Sequence, residues 1–272
     1  MKKAFFINGG AGRVLCSIPA LEYYKENTDP DVVIVSEAWH ELFLSSKLRN
    51  NIWPVGSKEL FKTVLKDREI ISPEPYRLNA YFNQRVNLIQ AFDMLINDVD
   101  EAVESKPINL DLGKADQIYG YNLVGQVKQQ MKKEKVIVFQ PFGSGVKIDG
   151  NFVFDESGRS FELSDVFRIV DELSKDYAVI LMTNLKIPTD RQMGAAIPDN
   201  ASLLQWTGIV NAADYFLGFD SMGQHYAHAL GKPATVVIGS TFPENISYPG
   251  NKDFTIIDNG KENRVYVPYR VT

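Results

Sequence analysis

The stretch that most constrains the fold runs from Ala213 to Glu244, ADYFLGFDSMGQHYAHALGKPATVVIGSTFPE. The apolar run Tyr215 to Phe219 reads as a buried strand. Asp220 and Ser221 read as the cap of a helix starting near Met222. That helix carries His225 and His228 and stops at Gly231, with Pro233 just beyond. Thr235 to Ile238 reads as a second buried strand, and Gly239-Ser240-Thr241 as the loop leaving it. Strand, helix and strand with tight joints make a βαβ unit, so the two strands are predicted to be parallel. Ligands of such sheets sit outside the carboxyl ends of the strands. Asp220, Ser221, Ser240 and Thr241 all fall there. The helix N-terminus adds free N–H groups and a positive dipole end. A phosphate-bearing ligand is the expectation.

The rest of the chain repeats the alternation. Ala4 to Ile7 reads as a strand, Asn8 to Arg13 as a glycine-rich turn, Val14 to Lys25 as a helix interrupted by Pro19, and Asp31 to Val35 as a second strand before Ser36-Glu37. Glu69 to Ile71 is a further strand. Asn51 to Val55 is an edge strand or a loop, because of Pro54. Tyr76 to Arg85 reads as a solvated loop or irregular helix, Leu88 to Leu95 as helix, and Ala115 to Lys135 as a segment holding a longer helix. Val136 to Phe139 opens a second half, followed by the loop Gly143-Ser144-Gly145, and the domain boundary is placed near Lys135. Asp155 to Ser160 reads as polar loop, and Ser164 as the cap of a helix bearing Val166, Phe167, Val170 and Leu173 on one face. Ala178 to Met182 and Phe254 to Ile257 are strands, Leu203 to Trp206 a further candidate. The tail to Thr272 is expected to cross back to the first half.

With 272 residues the chain has room for one large or two small domains. Its formal net charge of −5 gives no general attraction to nucleic acid. The single cysteine, Cys16, rules out an intrachain disulfide and fits a reducing compartment. The apolar run in MKKAFFINGG is too short for a signal peptide, and no stretch reaches the ~20 apolar residues of a membrane span. A cytoplasmic protein is expected.

Asp220, Ser221, His225, Ala227, Ala229, Gly231, Pro233, Gly239, Thr241 and Pro243 form the spaced pattern D-[ST]-x-x-x-H, A-x-A-x-G-x-P, apolar strand, G-x-T-x-P. The pattern resembles the C-terminal signature of the heptosyltransferase-like glycosyltransferases of family 9. The usual glycine after the Asp-Ser/Thr pair is Met222 here, with Gly223 following. At the other end, Gly12-Arg13-Val14-Leu15-Cys16-Ser17-Ile18-Pro19-Ala20-Leu21 resembles the family's G-D-x-L-x-[ST]-x-P-A-L. The family's aspartate, proposed as the base that activates the acceptor hydroxyl, is Arg13 in this chain. An arginine stays protonated and cannot be that base. It could instead neutralise a diphosphate leaving group.

The resemblance implies an α/β fold of two Rossmann-like domains facing a cleft, the GT-B architecture, with domains 1–135 and 136–272. The alternation of strands and helices agrees with it but also with one large doubly wound domain. It implies a metal-independent glycosyltransferase with a nucleotide-sugar as substrate and no cofactor. The donor would be held by Gly143, Ser144, Gly145, Asp220, Ser221, Gly223, His225, Ser240 and Thr241. Gly12, Arg13 and Glu37 would face the acceptor, a glycan or another unknown. The base stays open between Glu37, Glu74 and a substrate-assisted route. Other readings stand beside this one. A fold that lost its base would bind a nucleotide-sugar without turnover. Gly10-x-Gly12 followed by Glu37 gives a partial nicotinamide fingerprint, with Leu15 in place of the third glycine. His225, His228 and Asp220 lack a third convincingly spaced metal ligand. Asp220, Ser221 and His225 lie too close in sequence for a hydrolase triad. Cys16 without a placed base reads as a small buried hydrophobe.

Overall fold

The computed structural model describes residues 1–143, 145–150, 152–155, 157–187 and 193–264. The chain divides into two compact units. The first holds Met1–Asp111 and Glu244–Ile246; the second holds Leu112–Pro243 and the described chain from Ser247 onward.

The first unit runs β1 (Lys3–Ile7), α1 (Ala11–Asn27), β2 (Val33–Ser36), α2 (Glu41–Leu44), β3 (Ile52–Pro54), β4 (Glu69–Ile71), α3 (Asn79–Phe82) and α4 (Leu88–Asn97). Its sheet has the order β3-β2-β1-β4, and every pairing is parallel. β3 lies at the edge, where the missing N–H of Pro54 breaks no ladder. Ala4, Val33, Val35, Leu60 and Leu65 form a core cluster of this unit. α1 starts at Ala11, earlier than the predicted Val14, and continues through Pro19 to Asn27. It is held by packing: Val14, Leu15, Ile18 and Leu21 are fully buried, and α1 lies along α4. The Tyr76–Arg85 stretch forms helical turns at Pro75–Arg77 and Asn79–Phe82.

The second unit runs α5 (Lys114–Met131), β5 (Val136–Phe139), β6 (Val146–Asp149), β7 (Phe152–Asp155), α6 (Leu163–Leu173), β8 (Ala178–Leu181), β9 (Ala195–Ala196), α7 (Leu203–Ala212), β10 (Tyr215–Phe219), α8 (Met222–Ala229), β11 (Ala234–Ile238), the turn-length α9 (Pro243–Ile246, mostly in the first unit) and β12 (Phe254–Asp258). Its sheet is parallel throughout, in the order β12-β11-β10-β5-β8-β9. The predicted βαβ unit is β10-α8-β11.

Several expectations change. The units divide at Asp111/Leu112 rather than near Lys135. The reason is α5, which packs on α7 of the second unit with backbones in contact: a Cβ on Gly120 would collide with the carbonyl of Gly208. Leu203 to Trp206 is helix, because Ser202 and Gln205 form a reciprocal capping box that starts α7. α6 begins two residues early, with Glu162 at its N-cap and Ser164 inside it. The antiparallel hairpin β6-β7 lies in a stretch to which the sequence reading assigned no element. Ser144 and the tail beyond Arg264 lie outside the described residues.

Candidate functional site

Strand order fixes where a ligand can enter each unit. In the second unit the chain leaves β5 for β8 and β9 on one side, then returns to β10, β11 and β12 on the other. The carboxyl ends of β5 and β10 therefore flank a topological switch point, the usual ligand crevice of an open parallel sheet. Gln140 directly follows β5, and Asp220 directly follows β10.

Gln140 is buried and joins the two ends. Its Oε1 accepts the backbone N–H of Gly223 at 3.0 Å, and its Nε2 donates to Ser221 Oγ at 3.0 Å. The sequence assigned the capping of α8 to Asp220 and Ser221. Ser221 does occupy the N-cap position, but its side chain caps nothing. Gln140, far away in sequence, supplies the acceptor. This also changes the reading of Gly223. A Cβ there would collide with Gln140 Oε1 and the Phe216 ring, so the position needs glycine for packing.

Asp220 is buried, and its Oδ2 accepts from Thr241 Oγ1 at 2.7 Å. Its Oδ1 faces Gln224 Nε2 at 3.4 Å. The guanidinium of Arg159 approaches Oδ2 at 4.0 Å and remains one-third exposed. Burial pushes the Asp220 carboxyl up from the ordinary range, while Arg159 and Thr241 pull it down. Ser240 Oγ donates to the carbonyl of Ser157 at 3.1 Å. The loop after β11 thus docks on the loop that carries Arg159. That second loop is held by Asp155, whose carboxylate takes hydrogen bonds from Ser157 and Ser160; these outweigh burial and keep its pKa below the usual value. Gly143 joins the same network through its N–H to Ser160 Oγ at 2.9 Å. Gly145 precedes the β6-β7 hairpin, whose second strand ends at Asp155. Arg159 had no sequence signal beyond being the one cation in a polar loop, Ser157 to Ser160.

His225 belongs to an aromatic cluster. It is buried, its Nδ1 lies 2.7 Å from Tyr248 Oη, and Tyr248 stacks on His228 at 3.6 Å between ring centres. Burial, with a smaller contribution from His228, lowers its pKa to about 3, so it is neutral throughout the physiological range. Its chemistry is that of a core residue joined to Tyr248.

In the first unit the chain adds β2 and β3 on one side of β1 and then β4 on the other, so the switch point lies between β1 and β4. Their carboxyl ends hold the other predicted residues. Arg13 is buried in the first turn of α1. Its Nη1 donates to both Glu74 oxygens, at 3.0 and 3.2 Å, and its Nη2 to the carbonyl of Pro73 at 2.9 Å. The guanidinium carbon sits 5.1 Å from the centre of the Tyr76 ring. Two residues considered for separate chemical tasks, Arg13 and Glu74, are therefore partners of one another. Gly12 is part of α1, and Glu37 is exposed at the end of β2. Leu15, in the place of the third fingerprint glycine, is fully buried. Among the described residues no group of three or more His, Cys, Asp or Glu is arranged to hold a metal ion. No described helix is long and apolar enough to cross a membrane.

No family model matches the sequence, and no curated protein matches it. Solved structures do match. A family 9 glycosyl transferase from Veillonella parvula superposes with a TM-score of 0.63 at 9% identity, over 94% of this chain and 85% of that one. The E. coli ADP-heptose LPS heptosyltransferase II gives 0.62 at 13% identity, covering 94% and 90%. The E. coli heptosyltransferase WaaC, solved with ADP-2-deoxy-2-fluoro heptose, gives 0.59 at 12% identity, covering 98% and 96%. At such identities the likeness is one of fold. The chain has the GT-B fold of these glycosyltransferases.

Proposed function

We propose that this protein moves a sugar from a nucleotide-sugar donor to an acceptor, with the donor's diphosphate at the switch point of the second unit. The observation that carries this reading is Arg159: a part-exposed guanidinium beside Asp220, at the carboxyl end of a parallel sheet and flanked by Ser240 and Thr241. A departing nucleoside diphosphate gathers negative charge. A fixed cation and the N-terminus of α8 stabilise that charge as it forms. Asp220 keeps Thr241 oriented and holds Arg159 at the rim. The acceptor is assigned to the Gly12–Glu37 edge of the first unit by the sequence resemblance alone. With Glu74 paired, Glu37 or a substrate-assisted route is left for the base.

WaaC was solved with an ADP-sugar analogue, which makes ADP the first probe to try. The test is calorimetric titration and thermal shift with ADP, GDP, UDP, CDP and their sugars. A ligand at 100 times its Kd stabilises a folded protein by about 2.7 kcal/mol. Flat melting curves across the whole panel would sink the proposal. A second reading, nucleotide-sugar binding without turnover, is favoured by the Arg13–Glu74 pair, which occupies the family's base position. Release of free nucleoside diphosphate in the presence of acceptor candidates separates the two.

A further inference from the structure

The hydroxyls of Ser240 and Thr241 sit on a loop with no regular structure between Ile238 and Pro243. Such a segment does not fix its own shape. Here it is gripped from beyond β12 by Arg264. The Arg264 side chain is 9% exposed. Its Nη1 donates to the carbonyl of Gly239 at 3.2 Å, immediately before the two hydroxyl residues. Its guanidinium carbon lies 4.6 Å from the centre of the Phe242 ring, immediately after them. Its Nη2 is anchored on both carboxylate oxygens of Asp258, at 2.5 and 2.6 Å, at the end of β12. The backbone closes in from the same side: a Cβ on Gly260 would collide with the carbonyl of Gly239. The planar fork of an arginine suits this task, since one nitrogen grips a carboxylate while the other reaches a carbonyl and the face covers a ring.

We infer that Arg264 is a positioning residue: it clamps the Gly239–Phe242 loop on both sides of Ser240-Thr241 and so, through the Thr241–Asp220 hydrogen bond, fixes Asp220 and the Arg159 guanidinium beside it that would meet a diphosphate. The consequence for binding rests on the nucleotide reading above; the clamp itself does not. Thr241 is the link that carries the effect, because its hydroxyl must meet Asp220 for the cluster to close.

The experiment pairs two readouts on the full chain. Amide hydrogen exchange follows the loop in the free protein, and calorimetry follows ADP. Arg264→Met keeps the stem but removes both polar grips. Exchange at Ser240 and Thr241 is expected to accelerate about tenfold, with Val236 and Val237 of β11 unchanged, as a local opening would give. The ADP Kd is expected to rise about tenfold, the scale of one lost charged hydrogen bond. Arg264→Lys keeps the pair with Asp258 but cannot span to Gly239 as well, so it should recover part of both effects. Unchanged exchange in the loop, acceleration spread over all of β11, or faster loop exchange with undiminished ADP affinity each overturns the inference. If Arg264→Met does not fold, Arg264→Lys carries the same comparison. If the wild type binds no ADP, the nucleotide reading fails, and the exchange readout still decides whether Arg264 holds the loop.

Discussion

Arg13 and Glu74, 61 positions apart in the chain, form a part-buried ion pair at the switch point of the first sheet. The pair occupies the place where the family signature has a carboxylate. Its geometry is that of a structural joint between α1 and the Pro73–Arg77 turn. Arg13 also stacks near Tyr76, and Glu74 accepts the N–H of Tyr76 at 3.3 Å. Where the signature that this stretch resembles has a carboxylate, this chain has an arginine with a carboxylate partner.

Removing Arg13 should therefore show first in stability. Arg13→Ala is expected to lower the unfolding free energy by about 2 kcal/mol, the scale of a hydrogen bond to a charged group. Glu74 is partly exposed and can be resolvated, which limits the loss. Arg13→Asp restores the family's residue but sets two carboxylates together, and is expected to be less stable than Arg13→Ala. Urea unfolding measures both. An Arg13→Ala protein with the wild-type midpoint would show that the pair contributes nothing.

Arg159 gives the opposite signature. It is part exposed and sits in a loop. Arg159→Gln should leave the free protein within about 0.5 kcal/mol of wild type, as surface substitutions do. ADP affinity should fall about tenfold, the loss of one charge-assisted contact. Adding Asp220→Asn removes the carboxylate left without its cation, and should restore any lost stability without restoring affinity. Calorimetry showing equal ADP affinity in Arg159→Gln and wild type would exclude Arg159 from the site.

His225 should mark the acid limb of stability. Its folded pKa of about 3 lies below the ordinary 6.5, so the unfolded chain binds more protons between these values. Stability from this group is complete above pH 6.5 and declines as pH falls toward 3. Over roughly two pH units below 6.5 the loss is about 2–3 kcal/mol. His225→Gln should flatten that limb, as seen by comparing urea midpoints at several pH values. An imidazole that titrates near pH 6.5 in the folded protein by NMR would contradict the burial.

Two glycines of α5 should respond with opposite signs. Gly120 has the Gly208 carbonyl against it, while Gly125 opens on nothing within 4 Å. Gly120→Ala is expected to cost about 1–3 kcal/mol by overpacking. Gly125→Ala is expected to stabilise by about 0.5–1 kcal/mol through helix propensity. Equal urea midpoints for the two variants would mean that α5 and α7 do not touch as described.

By itself the sequence determined what depends on neighbours along the chain. The run Tyr215 to Ile238 gave a strand, a helix and a second parallel strand, since apolar runs, a serine at the N-cap position and a Gly-Pro stop are local signals. It also located Asp220, Ser240 and Thr241 at strand ends, which follows from topology alone. It misplaced elements where local signals competed: the apolar Leu203 to Trp206 looked like a strand until the Ser202–Gln205 box made it helix. The tertiary structure decided everything carried by pairs remote in sequence. Gln140 rather than a local residue caps α8. Arg13 finds Glu74, Arg159 finds Asp220, and His225 pairs with Tyr248. Strand order brings these partners together, and strand order is set by which buried faces pack best over the whole sheet, a sum that no short window of sequence contains.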